Sequence, residues 1–249
     1  MVSKSQLKLI TSLQQKKYRD KTGLFVAEGP KVIAEFIKAG LSLVSFFTTS
    51  SEDQVAYLEN DLRKKYHQVS SNELQKMSFL KTANTSLAVF NIPKTKGQER
   101  KGFIIALDAV RDPGNLGTII RLCDWFDVTQ LICSEDTTDC FNPKVVQATM
   151  GSLARIDIRY VNLSEYIKNT SLPIYGAVMD GDSVYQSTLP TEAIIVLGNE
   201  ANGISEEIQK QINHPITIPQ FGVKKDTESL NVATATAVLL SEFKRTTEK

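Results

Sequence analysis

The chain has 249 residues, 41% apolar and 23% charged, with a formal net charge of +1. That composition fits one large or two modest soluble domains, and no apolar run is long enough to cross a membrane as a helix. The opening MVSKSQLKLITSLQQKK lacks the apolar stretch of a secretory leader.

Cys123, Cys133 and Cys140 lack CxxC spacing, and the only histidines are His67 and His214. A disulfide framework, a metal site and a serine–histidine–aspartate triad are therefore not expected, and a reducing cytoplasm is. The charge is unevenly spread. Residues 1–100 hold 16 Lys/Arg against 9 Asp/Glu, and residues 101–249 hold 13 against 19. The split argues for two domains, the first of them facing a polyanion, or else for two ordinary surfaces whose charges differ by chance.

Leu7, Ile10 and Leu13 recur at helical spacing over 4–18. KKYRDKTG (16–23) reads as a basic loop with one tyrosine, and Lys16, Lys17, Arg19 and Lys21 are candidate RNA contacts. Cations suit phosphates and an aromatic suits a splayed base, although a solvated helix end has the same composition. LFVAEGPKVIAEFIKAG (24–40) reads as a strand, a turn at Glu28-Gly29 and a helix with Pro30 in its first turn. A strand follows over 43–49, a helix over 51–66, a strand, cap and helix within QVSSNELQKMS, and a last strand over 86–93. This makes a small α/β domain over 1–93, and the charged, glycine-bounded KTKGQERKG (94–102) reads as a linker.

From 103 onward, strands alternate with helices, as in a mostly parallel sheet covered on both faces. FIIALDAV is a buried strand, RDPGNLGT a turn, and IIRLCDWF (119–126) a helix. Arg121 stands among Ile119, Ile120 and Leu122, close to a buried face, or is a plain surface arginine. Strands follow at QLICS and at 173–179, and Asn142-Pro143 opens a helix. The stretch from Ile194 to Ala237 then places polar residues at two strand ends and one helix start, where α/β domains bind ligands. Gly198 either makes a turn or lets a ligand approach backbone. Ser229 is a candidate N-cap for the Ala/Thr-rich helix after it. Neither GxGxxG after the first strand of this domain nor GxxxxGK[ST] anywhere is present.

DPGNLGTIIRLCDWF, VLGNEANGIS and ITIPQFGVKKDTESLNVATATA resemble, in order, the three motifs of the SpoU (TrmH-type) RNA ribose 2'-O-methyltransferases. The resemblance covers 103–245, and FVAEGPKVIAEFI is similar to the substrate-binding domain that precedes the catalytic one in many members. It implies an α/β trefoil-knot domain over 103–249 behind a small α/β RNA-binding domain, and a homodimer formed through the C-terminal domain.

By the same resemblance the cofactor is S-adenosylmethionine, held at Leu197, Gly198, Asn199, Gly203, Ile218, Pro219, Leu230 and Asn231. Arg121 contacts the ribose hydroxyl, with Asn115, Glu200, Ser229 and Asn231 orienting it, and Glu200 is the expected partner of the guanidinium. Two positions depart from the motif: Ala233 replaces the usual serine after SLNV, and Gln220 stands where methionine is common. The basic first domain favours ribosomal RNA over transfer RNA as substrate. A non-catalytic RNA-binding or assembly factor on the same fold is the alternative from another class.

Overall fold

Two apolar runs far apart in sequence, LFVAE and SLAVFN, pair antiparallel as β1 (Leu24–Glu28) and β4 (Ser86–Asn91). On its other side β4 pairs antiparallel with β2 (Leu43–Thr48), which pairs in parallel with the edge strand β3 (Tyr66–Gln68). The computed structural model describes residues 2–50, 64–94, 102–222 and 229–245. The chain forms two compact units, Met1–Lys94 with Asp139–Ala154, and Thr95–Thr138 with Arg155–Lys249. The expected helix over 51–66, linker over 94–102 and loop before Ser229 lie largely outside the described residues.

In the first unit, α1 (Lys4–Ser12) starts at a Ser3/Gln6 capping box, and α4 (Ser71–Met77) starts at a Ser70/Glu73 box. Both helices bury apolar side chains with the sheet, and Ile10, Leu13, Val26, Phe47, Leu74 and Met77 form one core. A second cluster joins Phe25, Phe36 of α3 (Pro30–Lys38) and Phe90, with ring centroids 5.6–5.8 Å apart. Phe141 completes it, 4.9 Å from Phe25. Residues 139–154, which the sequence places among the later elements, thus share the first unit's core, together with α6 (Pro143–Thr149).

The basic segment 16–23 is not a loop. It is α2 (Lys16–Thr22), closed by Gly23 at φ 64. Arg19 is buried at 2% exposure. Its Nε and Nη2 donate to Asp139, and its Nη1 donates to the Leu13 and Gln14 carbonyls at 2.7 and 3.0 Å. The guanidinium therefore anchors the α1–α2 turn inside its own unit and is removed from the RNA-contact set. Lys16, Lys17 and Lys21 stay exposed.

The second unit is a six-stranded sheet in the order β10-β8-β9-β5-β6-β7, with every pair parallel. The strands are β5 (Phe103–Leu107), β6 (Gln130–Ser134), β7 (Asp157–Val161), β8 (Ile174–Ser183), β9 (Ala193–Leu197) and β10 (His214–Thr217). Every residue of β5 and β9 is buried, as a parallel strand covered on both faces requires. α7 (Leu163–Lys168) and α8 (Glu206–Gln209) are short, while α5 (Pro113–Trp125) and α9 (Val232–Arg245) are long and pack on each other. Phe243 of α9 meets Phe103 and Tyr175 edge-on at 5.5 and 5.1 Å, fixing that helix to the sheet.

Two elements of the second unit differ from expectation. α5 begins at Pro113 rather than 119, because Asp112 caps it and proline suits the first helical position. β8 runs on to Ser183, with a register jump opposite Pro215 and Ile216. There a Cβ on Gly181 would fall 2.5 Å from the Ile216 backbone, so only glycine fits.

Replacing Arg19 by alanine leaves Asp139 without its cation in a largely buried site. We expect a loss of about 3–5 kcal/mol in urea unfolding. Alanine at Lys16, Lys17 or Lys21 should change stability by about 0.5 kcal/mol or less. An Arg19→Ala protein as stable as wild type would refute the anchoring role.

Candidate active site

β5 and β9 are neighbours in register, with Leu107 opposite Leu197, so the loops that follow them leave the same sheet edge side by side. Three bonds tie these loops. The Asp108 amide donates to the Leu197 carbonyl (2.9 Å), the Ser205 amide donates to Asp108 Oδ2 (2.7 Å), and Asn199 Nδ2 donates to the Ala109 carbonyl (2.7 Å). Ala109 sits at φ 56, a conformation that costs a side chain about 1 kcal/mol or more. Its amide is held as well, by Ser134 Oγ at 2.9 Å. Asp112 Oδ1 then accepts the Asn115 amide (2.8 Å) and starts α5.

The loop after β9 folds back on itself. Asn199 and Gly203 exchange two backbone hydrogen bonds of 2.9 Å, and Asn199 Oδ1 accepts the Ala201 and Asn202 amides. A Cβ on Gly198 would lie 2.1 Å from the Gly203 carbonyl carbon and 2.2 Å from the Ile204 nitrogen. The returning loop packs directly against the Gly198 backbone, an approach that only glycine permits.

Three of the residues singled out in the sequence meet. Asn115 Nδ2 donates to Glu200 Oε1, and Asn231 Nδ2 donates to Asn115 Oδ1, both at 2.9 Å. Asn231 Oδ1 also accepts the Ala233 and Thr234 amides at 3.0 and 3.2 Å, so Asn231 caps α9. Ser229 does not take the capping role its sequence position pointed to. It is exposed and makes no hydrogen bond with the described residues.

Arg121 lies on the solvent face of α5, not against the buried one, and makes no hydrogen bond or ion pair with the described residues. Glu200, its expected partner, engages Asn115 instead. Gly114, Thr118, Arg121 and Trp125 are all exposed and recur at helical spacing, forming one stripe on α5. Trp125 is 83% exposed, and sequence reasoning passed it over. The available signal was its position one turn beyond Arg121 on a helix whose buried face was already complete.

The cofactor residues expected from sequence divide by environment. Leu197 is taken up in the sheet, with its side chain buried and its carbonyl bonded to Asp108. Ile218 and Pro219, directly after β10, are half-buried, and Leu230, before α9, is 49% exposed. β10 lies two strands from β9, roughly 10 Å away. Half-covered apolar side chains next to polar strand-end loops suit a molecule with a flat base and a charged tail. Among the described residues no group of three or more His, Cys, Asp or Glu could hold a metal ion. Cys123 on α5 is buried, and desolvation pushes its thiol up to about 12, so it is a packing residue.

Comparison with known proteins gives a consistent result. Residues 102–241 match the SpoU rRNA Methylase family, and residues 4–88 match the MRM3-like substrate binding domain. The 23S rRNA (guanosine(2553)-2'-O)-methyltransferase RlmP of Bacillus subtilis is 29% identical over 234 residues, covering 92% of this chain and 91% of that protein. A TrmH-family structure from Porphyromonas gingivalis superposes with a TM-score of 0.89 at 36% identity, covering 99% of both chains. An AdoMet-bound rRNA methyltransferase from Sinorhizobium meliloti superposes at 0.87 with 27% identity, covering 100% of this chain and 98% of that one.

Gly198→Ala forces a methyl group into the backbone of the returning loop. We expect a stability loss of about 1–3 kcal/mol in thermal unfolding. Wild-type stability for that variant would show that the loop opens without cost.

Proposed function

The chain belongs to the SpoU rRNA methylase family, and from that premise we propose that it methylates a ribose 2'-hydroxyl of ribosomal RNA. The observation that carries this reading is the side-chain chain Glu200–Asn115–Asn231, whose central residue shares α5 with Arg121, a guanidinium without a partner among the described residues. Arg121 stands six residues after Asn115, about 9 Å further along the helix axis. Bound S-adenosylmethionine supplies a sulfonium methyl that is already activated for transfer to an oxygen nucleophile.

The protein's part is then to place the hydroxyl oxygen and exclude competing geometries. Arg121 offers five N–H donors and no acceptor, so it positions the ribose oxygen and does not take its proton. The proton passes to a neighbouring RNA phosphate oxygen or to water. Asn115, Glu200 and Asn231 hold the motif loops in one arrangement, and the exposed Ser229 hydroxyl orients the ribose. The backbone of the Gly198–Gly203 loop, with Ile218, Pro219 and Leu230, holds the cofactor.

The first unit is the RNA grip, with Lys16, Lys17 and Lys21 on phosphates. A dedicated grip favours a large folded RNA over transfer RNA. The three free, buried cysteines support a reducing cytoplasmic setting. No helix among the described residues is long and apolar enough to cross a membrane. The working form is a homodimer seated on the α5 stripe, where Gly114 and Thr118 permit close approach and Trp125 supplies apolar area. In that arrangement Arg121 can serve the partner's cofactor pocket.

Two experiments test this reading. With labelled S-adenosylmethionine and large-subunit ribosomal RNA, wild type should leave one nucleotide resistant to alkaline hydrolysis. Arg121→Ala should reduce transfer about 100-fold or more and leave cofactor binding intact. Near-wild-type turnover by that variant would remove Arg121 from the reaction. Light scattering should show wild type at twice the 27.7 kDa chain mass and Trp125→Glu at the single-chain mass. A dimeric Trp125→Glu protein would place the interface elsewhere.

A further inference from the structure

The first unit contains a cavity of about 340 Å³ between the start of α1 and the edge strand β3. It falls within the range of small-ligand pockets. Its apolar floor is Phe47 and Val69, and its rim is Gln6, Tyr66, His67 and Gln68. Phe47 and His67 are a cross-strand pair, and their rings stack with centroids 4.9 Å apart and planes 22° apart. Phe47 is buried and His67 half-buried, so the histidine ring is supported from the core side and presents its remaining surface to the cavity.

The polar rim has hydrogen-bonding capacity in reserve. Gln6 Oε1 accepts the Ser3 amide in the α1 capping box, which leaves its Nε2 donors unengaged among the described residues. The His67 ring and the Gln68 carboxamide make no hydrogen bond with the described residues. None of the lining residues is acidic, and the exposed cation Lys4 opens α1, the helix that supplies Gln6 to the rim. A mixed polar and apolar cavity with a supported aromatic face and two carboxamides fits one chemistry well: a planar heterocycle with alternating donors and acceptors. Where a polyanion is the partner, that heterocycle is an unstacked nucleobase, since single-stranded RNA is read by stacking and by hydrogen bonds to base edges.

We propose that this cavity receives one splayed nucleobase of the RNA substrate, stacked on His67 and read at its edge by Gln68 and Gln6. The proposal rests on the RNA-methyltransferase reading above and adds to it a base-specific hold in the first unit, apart from the cationic helix. Lysine contacts alone would bind any RNA in a salt-dependent way, whereas a filled base slot selects where on the RNA the enzyme docks.

The test uses the full chain, large-subunit ribosomal RNA freed of protein, and labelled S-adenosylmethionine. His67→Ala/Gln68→Ala should raise KM for the RNA about 10-fold, the usual effect of one lost base stack. Its kcat at saturating RNA and its affinity for S-adenosylmethionine should stay within twofold of wild type. Ultraviolet crosslinking of wild type to the same RNA should leave a nucleotide adduct on the peptide containing Tyr66–Val69. If wild type methylates the RNA, an unchanged KM in the folded variant overturns the base slot alone. If that variant does not fold, absence of the adduct overturns it. If wild type transfers no methyl group to ribose, the broader reading fails and the base slot falls with it.

Discussion

One carboxamide, that of Asn115, is the point on which the second unit's polar loops depend. It donates to Glu200, 85 residues later, and accepts from Asn231, 116 residues later. Each bond is worth only about 1 kcal/mol net, so their sum adds little to folding. Their value is geometric. A planar amide that donates at one end and accepts at the other has a single orientation, and it aligns the α5 start, the loop after β9 and the α9 start. Asn231 then caps α9 with the oxygen that its own link to Asn115 leaves over. The register of α9 and the position of the Asn115 side chain are set together.

That junction works only because the sheet beneath it brings the loops to one edge. β5 and β9 are adjacent, parallel and buried throughout, so Leu107 and Leu197 end level. The chain turns sharply at Ala109, in an uncommon conformation for a residue with a side chain. It is held there by Ser134 on one side and Asn199 on the other. Close backbone packing at Gly198, in the loop after β9, and at Gly181, within β8, serves the same end. These are costs accepted locally, offset by the large apolar core below, in which Ile104, Ala106, Ile194 and Val196 meet Ile204 and Ile208.

Much of this was legible in the sequence, and the failures have physical causes. Strand and helix order followed from apolar runs and caps, and the three motifs pointed to Asn115, Glu200 and Asn231. The expectation of a parallel α/β domain that follows a small α/β domain in the chain is met by the two sheets, four-stranded and then all-parallel six-stranded. Arg19 was misread because a basic helix and a basic loop have the same composition. The partner that buries it, Asp139, is 120 residues away. The early start of α5 was signalled by Asp112-Pro113, but two nearby glycines read more strongly as a turn. The place of 139–154 in the first unit depends on Phe141 meeting Phe25, a contact that no local pattern encodes.

The pairing of Glu200 with Asn115 also bears on Arg121. A guanidinium locked to a carboxylate must break that bond before it can meet a phosphate or a hydroxyl, and leaving a carboxylate unpaired is costly. Here the carboxylate is satisfied by a neutral amide, and the arginine stays in solvent without a partner among the described residues. Under the proposed function it would meet RNA with its full charge and all its donors. The same exposure carries a penalty, since a long flexible side chain in water loses rotamer freedom of about 2 kcal/mol when it is fixed. A surface that closes over α5 would recover that loss by restricting the side chain beforehand. Trp125, one turn away and uncovered, is the feature on which such a surface can close. On the proposed homodimer, the exposed arginine and the exposed tryptophan would be two parts of one arrangement: the first is available because the polar chain does not use it, and the second would supply what holds it in place.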